Sequence, residues 1–176
     1  MKFIKPNVTV KDIFDTVPGE LVTVRDVAGR PQLAIVLRRE FPELTLGYLR
    51  PADRGGPVSE VLKNRTYCMS YGTEWALEPL PTADTWPGNA IAWHGPCGFA
   101  LDGGHHLMRF QPLDPSKNEE WYDLDLMTGA TRPEPTPLTL PFQWRIWERE
   151  ELRHDDDAKP LFESHPKQIK PEPTET

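Results

Sequence analysis

Asn89–Phe110, NAIAWHGPCGFALDGGHHLMRF, is the stretch on which the fold turns. Asp102-Gly103-Gly104 lies between two short apolar runs. Glycine and aspartate tolerate the positive φ that tight primed hairpin turns require. Gly98–Asp102 and His105–Phe110 are therefore expected to be the two strands of one hairpin. A two-residue turn at Gly103-Gly104 sets Asp102 opposite His105, Leu101 opposite His106 and Phe99 opposite Met108. One face then carries Cys97, Phe99, Leu101, His106, Met108 and Phe110, and reads as the core face. The other carries Ala100, Asp102, His105, Leu107 and Arg109. A three-residue loop would exchange His105 for His106.

This hairpin bears directly on chemistry. Cys97 and His106 are the residue types of a nucleophile and its base. In this register Cys97 lies four positions from the residue facing His106, roughly 13 Å along the strand. That is outside hydrogen-bond reach. Cys97 therefore reads as a small core residue with an ordinary or raised thiol pKa, and His106 as a core or half-buried histidine. His105 opposite Asp102 is the better-placed pair, although a plain surface pair explains it better.

Composition narrows the classes. The chain has 176 residues, enough for one domain with a real core. Its 20 prolines argue against an all-helical fold. A formal charge of −7 repels phosphate backbones, so nucleic acid is not an expected partner. Cys68 and Cys97 belong to no CxxC pattern, which suits a reducing compartment. The start MKFIKPNVTV lacks an apolar signal core, and no run reaches membrane-spanning length. The expected location is cytoplasmic, with no membrane association.

Outward from the hairpin, the chain reads mainly as short strands. Thr9-Val10-Lys11-Asp12 resembles a helix start capped by Thr9, with Ile13, Phe14 and Val17 docking a short helix that Pro18-Gly19 stops. Glu20–Val27, Gln32–Arg38 and Leu44–Arg50 read as strands. Gln32–Arg38 is apolar on both faces and is placed centrally. Pro51–Pro57 is a loop whose Gly-Gly lacks the spacing of a phosphate loop. Val58–Asn64 reads as one or two helical turns, Thr66–Tyr71 and Thr73–Leu77 as strands, and Asn89–His94 as a further strand. Trp121–Met127 alternates, with Tyr122, Leu124 and Leu126 inward and Asp123 and Asp125 outward. Leu138–Trp147 alternates with Pro141 on the opposite face, which marks an edge or a bulge. Glu148–Asp157 is charged and suits a short helix. Lys159–Thr176 has no periodic apolar face and reads as a disordered tail that is removable without loss of stability.

Three constellations invite a chemical reading. His94 and Cys97 with His105 and His106 contain zinc-ligand types, but only one short-spaced pair. Asp123-x-Asp125 places two carboxylates on one strand face, which suits a hard cation or acid–base work, and a solvated face explains it better. Asp155-Asp156-Asp157 reads as a solubilising run. No GxSxG, HExxH or strand-borne GxGxxG is present. No catalytic residue, metal ligand or cofactor is assigned.

The expected architecture is mainly β with a minor α component. It is a single domain of short antiparallel strands, barrel- or sandwich-like, with one or two short helices. It spans residues 1–150, and residues 151–176 form an acidic to proline-rich tail. The expected function is a non-enzymatic protein-binding module, an accessory, assembly or inhibitor-like protein. Its partner would be held by acidic surface and by aromatics at loop or outward positions, Trp86, Trp121 and Trp147. The alternative is a small enzyme or ligand-binding domain with a pocket around His94, Asp102 and His105, and Arg109 as anion anchor.

Overall fold

The computed structural model describes residues 8–26, 28–50, 56–80, 99–102, 105–114, 121–132 and 143–164. Gln32–Arg38 falls inside the longest strand, β3 (Pro31–Glu40), where Ala34, Ile35, Val36 and Leu37 are all buried. A strand apolar on both faces belongs in the middle of a covered sheet. Here β3 lies between β2 (Leu21–Arg25) and β4 (Glu43–Tyr48), antiparallel to both.

The remaining strands extend this meander. They are β1 (Thr9–Asp12), β5 (Val58–Leu62), β6 (Tyr67–Gly72), β7 (Ala76–Leu80), β8 (Phe99–Asp102), β9 (His105–Pro112), β10 (Tyr122–Asp125), β11 (Thr131–Arg132), β12 (Gln143–Trp147) and β13 (Phe162–Glu163). Among the described residues a ten-stranded sheet runs β1-β6-β2-β3-β4-β5-β9-β10-β11, with β8 added to β9. Among the described strand pairs only β5–β9 is parallel, at Val58↔Gln111 and Ser59↔Pro112. A small second sheet runs β13-β12-β7. The fold is mainly β, and the large sheet is a curled half-barrel.

The curl follows from packing. Cys68 on β6 and Val58 on β5 belong to one buried cluster with Val22, Val36 and Leu46. That cluster lines one face of the curled sheet across five strands, β6, β2, β3, β4 and β5. The β3–β4 register shifts between Val36 and Arg38, and the β2–β6 register shifts at Leu21/Val22. Such bulges bend and twist strands. The opposite face buries Leu21, Ile35, Leu37 and Leu49 against Met108, Phe110, Leu124, Trp144 and Ile146. Gly47 belongs to this contact, since a Cβ there would lie 2.5 Å from the Phe110 ring.

The hairpin register is the expected one: Phe99↔Met108, Leu101↔His106 and Asp102↔His105. The tip, Gly103-Gly104, lies outside the described residues. The assignment of faces differs. Met108 and Phe110 are buried as expected, but so are Leu107 and Arg109 on the other face, while His106 is exposed. The strand is covered on both sides, which alternation alone does not reveal.

Two expected helical stretches differ as well, and a third is met. Thr9–Asp12 is a strand paired to β6, and only Ile13–Asp15 coils, as a 3-10 turn whose Phe14 amide donates to Asp12 Oδ1. The cap is Asp12, not Thr9. Val58–Leu62 is a strand, because β4 offers it a partner edge across Leu44–Tyr48. Glu148–Asp157 contains a 3-10 helix at Glu150–His154. The chain beyond it continues as structure. The Leu161 amide donates to the Ile146 carbonyl, Phe162 pairs with Ile146 in β13–β12, and Ser164 bonds Trp144 through backbone and side chain. The described chain therefore keeps strand pairing as far as Phe162–Glu163 and backbone bonding as far as Ser164.

One buried polar network ties down the β1 edge. Glu20 is buried and accepts from the Ser70 hydroxyl, from the Val17 amide at 2.9 Å and from Lys11 Nζ at 2.6 Å. Burial pushes the Glu20 carboxyl up, but the bonds from Lys11, Ser70 and Val17 outweigh it, so the group lies below the ordinary 4.5. A carboxylate depressed on folding stabilises the fold fully above its unfolded value, and that contribution is lost as pH falls through the folded value. Glu20→Gln is expected to cost about 1–3 kcal/mol at pH 7. In urea titrations at several pH values, the gap between wild type and variant should narrow below pH 4.5. A gap independent of pH would show that the charge on Glu20 contributes nothing.

Candidate functional site

Register places Asp123 of β10 directly opposite Arg109 of β9, with Tyr122 opposite Phe110 and Leu124 opposite Met108. Opposite charges facing each other across strands attract. Arg109 Nε and Nη2 reach the two Asp123 oxygens, each at 2.7 Å. The side chains are 3% and 0% exposed. The Trp121 ring lies under the guanidinium, 5.9 Å from Cζ to centroid, within cation–π range.

This arrangement changes the reading of several residues. Arg109 is not a surface anchor for anions, because its guanidinium fork is bound by Asp123. Asp123 and Asp125 do not form a solvated face, since both are buried. Asp125 has a separate task. Its Oδ1 accepts from the Met127 and Thr128 amides, and its carbonyl accepts from Gly129, which builds the turn from β10 to β11. Gly129 adopts φ 70, the left-handed conformation such a turn needs. Among the described residues no cluster of His, Cys, Asp or Glu could hold a metal ion.

Asp102 and His105 are paired in the hairpin backbone, while His94, Cys97 and Trp86 lie outside the described residues. Trp147, expected to point outward, is buried, and its Nε1 donates to Glu78 at 2.9 Å. Trp121 is half-buried beneath Arg109. Cys68 is buried in the half-barrel, where burial and then the Glu20 carboxylate push its thiol up to about 11. A thiol so poised is not a nucleophile at neutral pH.

Among the described residues three concave surfaces stand out. A cleft of about 450 Å³ is lined by Trp75, Leu77, His106, Leu124 and Met127, beside the turn that Asp125 builds. A second cleft, about 670 Å³, opens at the mouth of the half-barrel beside Arg25, Tyr48 and Arg50. The third, about 590 Å³, is a groove along Val10, Thr23, Tyr67 and Met69 on the outer face of β1, β6 and β2. Val10 pairs with Met69, and Met69 with Thr23, so these side chains form a row across three strands. Val10 is 68%, Tyr67 77% and Met69 40% exposed. Sequence reading passed over this row because single apolar residues on weakly alternating strands carry no signal until register aligns them.

Comparison with known proteins finds no matching family model, no similar curated protein and no similar solved structure.

Proposed function

We infer that this chain is a non-enzymatic protein-binding module, and that it engages its partner through the outer face of β1 and β6. The observation that carries the reading is the row of Val10, Met69 and Tyr67, exposed side by side at one end of the large sheet. Farther along the sheet the same face is closed by β9, β10 and β12, whose Phe110, Leu124 and Trp144 cover Ile35 and Leu37. At β1 and β6 that cover stops among the described residues. Contiguous apolar surface rimmed by polar groups is how docking sites present themselves. The rim here is charged at the Arg65–Asp12 pair, 3.7 Å apart. A partner offering apolar side chains fits such a face, in preference to a nucleic acid or a membrane. Two cysteines in no paired motif suit a cytoplasmic setting.

The test substitutes Tyr67→Lys and Met69→Lys together. Both side chains project into water, so the melting temperature should hold, a surface change being worth within about 0.5 kcal/mol. Affinity capture from the source cell should recover a defined partner with the wild type and at least about tenfold less with the variant, a difference of about 1.4 kcal/mol. Equal recovery by both proteins, or no specific partner for the wild type, would overturn the reading. Sedimentation over a range of concentrations covers a second copy of this chain. Self-association abolished by the same two substitutions would make the partner another copy.

A further inference from the structure

The mouth of the half-barrel holds a cluster of arginines, of which Arg25 also borders the groove beside Val10 and Tyr67 while Arg50 does not. We propose that this mouth binds a small organic anion, gripping its carboxylate or phosphate with Arg25 and Arg50 and seating its apolar body against Leu62 and Leu113. The cleft is about 670 Å³, within the usual range for small-molecule sites, and barrel mouths are a preferred place for them.

Charge accounting singles out two of its arginines. Arg30 is already neutralised, since its Nε lies 3.0 Å from Asp26 Oδ2, and Asp26 is itself locked by the Ala28 and Arg30 amides at 2.9 Å each. Among the described residues no carboxylate stands within ion-pairing reach of Arg25 or Arg50. Arg25 is exposed and Arg50 half-buried along this concave wall, and an unpaired guanidinium there is suited to fork a carboxylate or phosphate. Two of them converge here on an otherwise acidic chain of net charge −7.

The strands explain why the cleft is shaped this way. Tyr48 of β4 and Glu60 of β5 share the concave face through the pairs Tyr48↔Val58 and Leu46↔Glu60. Arg50 follows Tyr48 by two positions and continues that side as the strand ends. Arg25 ends β2 opposite Pro31, next to the Asp26–Arg30 turn. Burial and then the Glu60 carboxylate push the Tyr48 hydroxyl up, so the phenol stays protonated and supplies a neutral polar wall. Glu60 disfavours a second negative charge deep in the site. A ligand charged at one end and apolar at the other satisfies both walls.

The experiment follows backbone amide shifts of the full chain by NMR during titration. The probes are phenyl phosphate, phenylacetate, inorganic phosphate, acetate and benzyl alcohol. Shifts at Arg25, Gln32 and Arg50 are expected with phenyl phosphate or phenylacetate, and the stronger of the two identifies the anionic group. Inorganic phosphate and acetate should bind at least about tenfold more weakly, and benzyl alcohol should leave these amides unmoved. Arg50→Gln should weaken the better aryl anion at least about tenfold, and Arg50→Lys should restore part of the loss. Raising salt from about 0.05 to 0.5 M should also weaken it. No shift with either aryl anion up to about 10 mM, or equal binding by Arg50→Gln with its spectrum otherwise unchanged, overturns the proposal. Arg50 lies away from Tyr67 and Met69, so failure here leaves the protein-docking face untouched, and the reverse holds.

Discussion

Asp123→Asn is expected to cost about 3–5 kcal/mol of folding stability, the largest effect of any single substitution considered. Arg109 cannot lose its charge, and it is buried on β9 with its fork closed on both Asp123 oxygens at 2.7 Å. Asparagine keeps the size but offers one acceptor where there were two, and no compensating charge. The guanidinium is then left desolvated, which carries most of the cost. In a chain of this size each kcal/mol moves the melting temperature by about 2–4 °C, so the loss should be roughly 10 °C. The double substitution Arg109→Met with Asp123→Leu removes both charges and keeps most of the volume. It should recover most of the loss, because replacing a buried pair by apolar groups is often neutral. Thermal and urea unfolding of the three proteins decide this. If Asp123→Asn loses under about 1 kcal/mol, water reaches the pair and the burial argument fails.

The pair also shows where sequence reading stops. The β8–β9 register is legible, because Asp102-Gly103-Gly104 favours a tight turn and apolar runs flank it. Central placement of β3 was legible for the same local reason, four consecutive buried apolar residues. The environment of β10 was not. Asp123 and Asp125 alternate with Tyr122 and Leu124, the pattern of a strand with one wet face. Only the alignment of β10 on β9 makes Asp123 the partner of Arg109, and that alignment joins segments whose turn chemistry says nothing about register. Strands β1 and β5 look helical in the sequence because four or five residues carry too little periodicity to separate strand from helix. In both cases an open neighbouring edge, β6 or β4, decides. The Val10–Met69–Thr23 row is a product of pairing in the same way.

Removing residues 159–176 is expected to lower stability by about 2–4 kcal/mol, where sequence composition predicts no effect. Leu161 and Phe162 form only a dipeptide of apolar character in a polar, proline-rich stretch, below the length any periodicity can register. Their contribution comes from where they land. Phe162 stacks on Trp144, with ring centroids 4.9 Å apart and planes at 26°. Trp144 is among the largest fully buried side chains, at the centre of the second core. Ser164 completes the closure, its amide donating to the Trp144 carbonyl and its hydroxyl accepting from the Trp144 amide, both at 2.9 Å. Cutting after Ala158 therefore strips one edge of the small sheet, opens Trp144 to water and leaves two backbone groups of Trp144 unpaired. A second truncation after Ser164 keeps all of these contacts. The comparison is thus between chains ending at 158 and at 164. The shorter should melt roughly 5–15 °C below the longer and show increased exposure of tryptophan in fluorescence quenching. Equal melting temperatures would mean that β13 rests on the domain without stabilising it, and that the core formed by Trp144 closes through β7 and β12 alone.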